Sequence, residues 1–165
     1  MKRIFTLLTG FVLLSFSLKA QQSLGVRFSP DGIGGIVQAP VKGNLVFEAQ
    51  LNAGGLLSQG KSFTVVGLLK NIVPLPDPRW RFYFGGGVHA GVIDPGYSFD
   101  GEQLILSEGN TKTMVGLDGI AGIEYRINST PFSVSADYKP ALNILPDIDL
   151  HTHNNFGVTV RYYLY

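Results

Sequence analysis

Apolar side chains recur at every second position along most of this chain, and that period of two limits what it can fold into. Leu24, Val26 and Phe28 alternate with Ser23, Gly25 and Arg27; Leu45, Phe47, Ala49 and Leu51 stand opposite Asn44, Glu48, Gln50 and Asn52. Trp80, Phe82, Phe84, Val88 and Ala90 alternate with Arg81, Tyr83, Gly85, Gly87 and His89. The same rhythm runs through Val115 to Arg126, Phe132 to Lys139 and Phe156 to Leu164. Alternation of this kind marks a strand with one apolar face, whereas a helix would repeat every ~3.6 residues. Two weaker segments, 33–39 and 61–71, bring the expected count to eight strands. No segment carries a convincing helical period.

The connections separate the strands cleanly. Ser29-Pro30-Asp31-Gly32 is a turn, and 40–43, 54–60 and 71–79 are further breaks rich in Pro or Gly. The stretches 93–112 and 141–155 are read as long loops, and Ile127-Asn128-Ser129-Thr130 as a tight hairpin. With Asn128 and Ser129 as a two-residue turn, Asp118 would lie across from Lys139, Ile120 across from Asp137 and Glu124 across from Ser133.

Which face points inward is decided by composition. Charged residues are only 15% of the chain, against about 25% in soluble domains. The polar face is rich in glycine (Gly85, Gly87, Gly116, Gly122), as suits an eight-stranded barrel whose interior is just wide enough for side chains. On the apolar face, Phe47, Trp80, Phe82, Tyr125, Phe132 and Tyr162 collect toward one end, and Phe28, Phe63, Tyr138 and Phe156 toward the other. Two aromatic girdles are what two membrane interfaces select, and strands of about 10 residues cross a bilayer at a tilt. The expected fold is all-β: an eight-stranded antiparallel up-and-down transmembrane β-barrel, preceded by a cleaved signal peptide.

Residues 1–20 supply that peptide. Lys2 and Arg3 precede a mainly apolar run from Ile4 to Leu18, and Ala20 precedes polar Gln21-Gln22. The remaining 21–165 form one domain, and its expected location is the cell outer membrane. Losing Lys2, Arg3 and Lys19 takes the 13 basic residues to 10 against 12 acidic. That balance argues against nucleic acid as a partner. The absence of cysteine excludes disulfides, thiolate metal sites and a cysteine nucleophile.

The closing segment Phe156 to Tyr165, alternating and ending in an aromatic, resembles the assembly signal of bacterial outer-membrane barrels. Val115-Gly116-Leu117-Asp118-Gly119-Ile120-Ala121-Gly122-Ile123-Glu124-Tyr125, together with Pro131, Asp137-Tyr138-Lys139-Pro140-Ala141 and Tyr83-Phe84-Gly85-Gly86-Gly87, resembles small uncharacterised outer-membrane barrels of Bacteroidetes-type bacteria. In size the chain is similar to the OmpA transmembrane domain and OmpX. The resemblance implies architecture and location, with outer-membrane lipid and the barrel assembly machinery as partners. It carries no activity.

On this reading Arg27, Glu48, Arg81, Asp118, Glu124, Arg126, Asp137, Lys139 and Arg161 point into the lumen as structural charges. They must pair there, because an isolated buried charge is too costly. A lumen so filled is no diffusion pore, which leaves a structural role or binding by the external loops 93–112 and 141–155 to an unidentified ligand. No catalysis and no cofactor are expected. Two alternatives stay open: a soluble periplasmic lipocalin-like lipid-binding barrel, and a lipid-modifying outer-membrane enzyme. For the second, His89, Asp118 and Ser135 are the triad candidates, without a nucleophile elbow to support them. Asp147, Asp149, His151 and His153 form a weak candidate metal set, four ligands on one face if extended.

Overall fold

The computed structural model describes residues 22–30, 32–54, 61–94, 98–100, 103–105, 112–146, 148–151 and 155–164. Its strands are β1 (Ser23–Ser29), β2 (Gly32–Lys42), β3 (Leu45–Gly54), β4 (Lys61–Pro74), β5 (Trp80–Asp94), β6 (Ser98–Asp100), β7 (Gln103–Ile105), β8 (Lys112–Arg126), β9 (Phe132–Tyr138), β10 (Ala141–Leu145), β11 (Asp149–His151) and β12 (Phe156–Tyr163). Eight staves make the wall, because β10 continues β9 past Lys139-Pro140 and β11 precedes β12 on the same stave. Each stave pairs antiparallel with its neighbours, β1 joins β12, and β8 meets β9 to close the barrel.

The registers fix the geometry. The pairing row through Phe28 runs by Ile33, Ala53, Phe63 and Val92 to Thr113 on β8. Followed the other way it runs by Val158 and Ala136 to Ile123 on the same strand. The row therefore closes 123 − 113 = 10 residues out of step. Ten residues at ~3.3 Å along the strand, set against eight spacings of ~4.8 Å, give a strand tilt of about 40°.

Burial is inverted relative to a soluble barrel. Val26, Val37, Leu51, Val65, Leu69, Val88, Leu117, Val158 and Val160 are exposed on the outer wall, while Arg27, Glu48, Lys70, Asp118, Glu124, Asp137 and Arg161 are buried inside. A lipocalin-like barrel in water needs the opposite arrangement. The interior is not wholly polar. Val66, Leu68, Tyr83 and Ile120 form a small apolar layer, with Ile72 packed against it. This layer explains the weak alternation of β4, whose Val65-Val66-Gly67-Leu68-Leu69 run is apolar on both faces.

Three sequence expectations change. The stretch 93–112 is not simply a loop: β5 runs to Asp94, and β6 and β7 pair as a hairpin within it. The stretch 141–155 likewise carries β10 and β11, with Ala141 opposite Asp118 and Asn143 opposite Asp149. The β8–β9 turn is longer than two residues. Ile127 N donates to Phe132 O (3.0 Å), leaving 128–131 as the loop, and Ser129 rather than Asn128 takes the positive φ of 61°. Gly122 therefore faces Asp137, and Glu124 faces Ser135. The shift is two residues, so every side chain keeps its face.

Candidate functional site

The lumen is where the polar chemistry gathers, and Arg161 on β12 is its hub. Its Nη1 donates to Glu124 Oε2 (3.2 Å) and Ser135 Oγ (2.7 Å), and its Nη2 donates to Glu48 Oε2 (3.1 Å). Lys70 donates to the same Glu48 carboxylate, and Gln50 Nε2 donates to Glu48 Oε1 (2.8 Å). Tyr163 Oη donates to Glu124 Oε1 (2.6 Å). The faces of the tyrosines carry cations too: Lys70 sits 4.7 Å from the centre of the Tyr83 ring, and Arg126 sits 4.3 Å from that of Tyr163. Alternation along β3, β4, β5, β8, β9 and β12 places each of these groups inward, so six staves contribute to one network.

Above it Arg27 pairs with Asp137, whose other oxygen accepts from Tyr83 Oη at 3.0 Å. Gly157 makes that pair feasible, because a Cβ built there would fall on the Arg27 guanidinium. Higher still, His89 Nδ1 lies 2.9 Å from Asp118 Oδ2 and Nε2 lies 2.8 Å from Asn143 Oδ1. Gly116 leaves the space that the His89 ring occupies. Lys139 Nζ stands 3.7 Å from Asp118 Oδ1. The two residues meet diagonally, since Asp118 is in register with Ala141.

The triad candidates are brought only partly together. His89 meets Asp118, but its other nitrogen is held by Asn143, and Ser135 is bound to Arg161. Of the metal candidates, Asp149 and His151 lie on β11, whereas Asp147 and His153 lie outside the described residues. Among the described residues no cluster of three or more His, Asp or Glu is placed to hold a metal ion. Arg81, Arg126 and Lys139 are only half-buried, toward the two ends of the lumen. Sequence reasoning missed Lys70, Gln50, Tyr83 and Tyr163 as parts of the network. Parity with Arg161 and Glu48 was the available signal.

On the outer wall the expected aromatics stand in contact pairs. Trp80 and Tyr125 have ring centres 4.8 Å apart, Phe132 and Tyr162 5.2 Å, and Tyr138 and Phe156 5.1 Å. Phe28, Phe47 and Phe63 are exposed on that wall, and Phe82 lies 6.1 Å from Phe84, a further exposed ring. At the tight-turn end Asp77 binds the Arg79 guanidinium through both oxygens (3.0 and 2.6 Å). Those hydrogen bonds lower the Asp77 carboxyl to about 2 and raise the Arg79 guanidinium.

No protein-family model matches the chain, and no curated protein matches it. Solved structures do. The N-terminal β-barrel domain of Pseudomonas aeruginosa OprF superimposes with a TM-score of 0.62 at 11% identity, covering 87% of this chain and 96% of that one. Neisserial surface protein A (NspA) superimposes with a TM-score of 0.52 at 13% identity, covering 86% and 92%. The fold is that of the small eight-stranded outer-membrane barrels. At such identities the likeness speaks to the barrel fold alone, and the contents of its lumen are this chain's own.

Proposed function

We propose that this chain is a small, non-catalytic outer-membrane barrel of the Bacteroidetes-type group it resembles, with a structural or external-loop-mediated binding role. The observation that carries the reading is the inverted burial: aliphatic and aromatic side chains exposed all around the wall, charges paired inside. Such a wall is stable only where hydrocarbon covers it. A lumen crossed by Arg161, Glu48, Lys70 and Glu124 leaves no open channel for solute diffusion. The surface proposed for contact with other molecules is the long-loop end, between β5 and β8 and between β10 and β12.

Fractionation tests the location. The folded chain should be recovered in the outer membrane, and its electrophoretic mobility should change on boiling. Recovery as a detergent-free periplasmic protein would overturn the reading. A second test places a charge on the wall: Val88 is 58% exposed, and Val88→Arg should destabilise the protein in vesicles by about 2–4 kcal/mol if that site faces the bilayer midplane. A negligible cost would mean that water, not lipid, covers Val88.

A further inference from the structure

The tight-turn end of the barrel opens into a cavity of about 240 Å³, lined among others by Gln38, Asn44, Arg81, Arg126 and Tyr163. Among the described residues no carboxylate lines it. The lumen as a whole is out of balance: among the described residues four inward carboxylates (Glu48, Asp118, Glu124, Asp137) meet six inward cations (Arg27, Lys70, Arg81, Arg126, Lys139, Arg161). The carboxylates are already committed to Arg161, Lys70, Arg27, His89 and Lys139. The surplus is Arg81 and Arg126, and both line the cavity.

Local geometry explains why neither is fully neutralised. Arg81 is in register with Glu124, but both oxygens of Glu124 are taken, one by Tyr163 and the other by Arg161. The Arg81 side chain makes no hydrogen bond or ion pair among the described residues. Arg126 Nε lies 3.9 Å from Glu124, beyond hydrogen-bond reach, and is buried without a hydrogen-bond partner. Arg126 stands two residues beyond Glu124 on β8, which makes it the diagonal neighbour of Arg81. Such neighbours are about 7–8 Å apart at most between Cβ atoms, close enough for two long side chains to converge on one group. Arg81 has no counter-charge, and Arg126 has only the distant Glu124 and the face of the Tyr163 ring; a shared oxyanion would relieve the repulsion between the two guanidiniums while accepting from both forks.

We infer that this vestibule is a binding site for a compact phosphate-type oxyanion, held between Arg81 and Arg126 with Gln38, Asn44 and Tyr163 around it. The cavity is smaller than the roughly 300–1,000 Å³ of sites for drug-sized ligands, which suits a phosphate or the phosphate end of a small monoester. A lipid headgroup and a soluble phosphate share this chemistry, so the test separates them.

The experiment uses the full mature chain refolded in neutral phosphatidylcholine vesicles, at constant ionic strength. Inorganic phosphate and phenyl phosphate are titrated by calorimetry against chloride, and a parallel sample carries phosphatidic acid in the bilayer. Saturable one-to-one binding of inorganic or phenyl phosphate is expected, weakened about tenfold to hundredfold in Arg81→Gln and in Arg126→Gln, the worth of one hydrogen-bonded charge. If phosphatidic acid alone competes with or replaces that binding, the source is lipid; if it has no effect, the source is soluble. In phosphate-free buffer Arg81→Gln should unfold at the same or a higher urea concentration than the parent, because it relieves repulsion. That readout also shows that the variant folds. Absence of saturable binding to the heat-modifiable parent protein, or equal binding by the parent and both variants, would overturn the inference.

Discussion

Arg161→Met removes the hub of the lumen and gives the sharpest measure of how dry that lumen is. The guanidinium is 1% exposed and lies 3.1 Å from Glu48 and 3.2 Å from Glu124. At an effective dielectric constant of about 20, each contact is worth roughly 5 kcal/mol of gross attraction. Desolvation of the ions offsets much of it, at several kcal/mol per ion. The mutant, however, loses the attraction and leaves the carboxylates behind. Glu48 still has Lys70 and Gln50, while Glu124 keeps Tyr163 and a distant Arg126. Glu124 is therefore the group stranded, and the expected loss is about 3–5 kcal/mol, the usual cost of breaking one buried pair. The assay is reversible urea unfolding in vesicles, followed by the boiled and unboiled gel shift. Glu124→Gln should restore part of the loss when added to Arg161→Met, because it removes the stranded charge. A loss below about 1 kcal/mol would refute the reasoning, since that is what a water-screened pair gives. The lumen would then be wet and the barrel no longer sealed.

Lys139→Ala should cost only about 0–1 kcal/mol, because its 3.7 Å contact is long and its side chain is 14% exposed. Asp118→Ala should cost more, about 1–3 kcal/mol, by leaving the buried His89 Nδ1 unpaired; equal losses in urea unfolding would contradict the geometry. Gly157→Ala should destabilise by about 1–3 kcal/mol through collision with Arg27, whereas Gly35→Ala, which meets open space, should stay within about 1 kcal/mol of the parent in the same assay. Asp77, lowered from 3.8 to about 2 by Arg79, contributes its turn contact above the ordinary carboxylate range and loses it as pH falls through about 2. A carboxyl carbon titration by NMR should find that low midpoint, and Arg79→Gln should return it to the ordinary range; an unchanged midpoint would show that Arg79 is not the cause.

The strand count, the inward and outward faces, and the aromatic positions on the wall were legible in the sequence because a strand assigns faces by parity alone. Leu24-Val26-Phe28 against Arg27, or Val158-Val160-Tyr162 against Arg161, needs no partner to be read. The two-residue error at the β8–β9 turn spared these assignments for the same reason: an even slip changes neighbours and not faces. Neighbours are where the sequence stopped. Glu48 meets Arg161 across 113 positions and Arg27 meets Asp137 across 110, distances that only closure of the barrel brings together. Lys70 reads as a polar-face residue of β4, but the apolar layer around Leu68 blurs the alternation that would set it among the lumen charges. Nor could composition show that Arg81 and Arg126 share an end where the one nearby carboxylate, Glu124, is already bound by Arg161 and Tyr163. That surplus exists only once the ten-residue shear has assigned every other charge its partner, since pairing across a tilted wall is a property of the closed sheet and not of any strand in it.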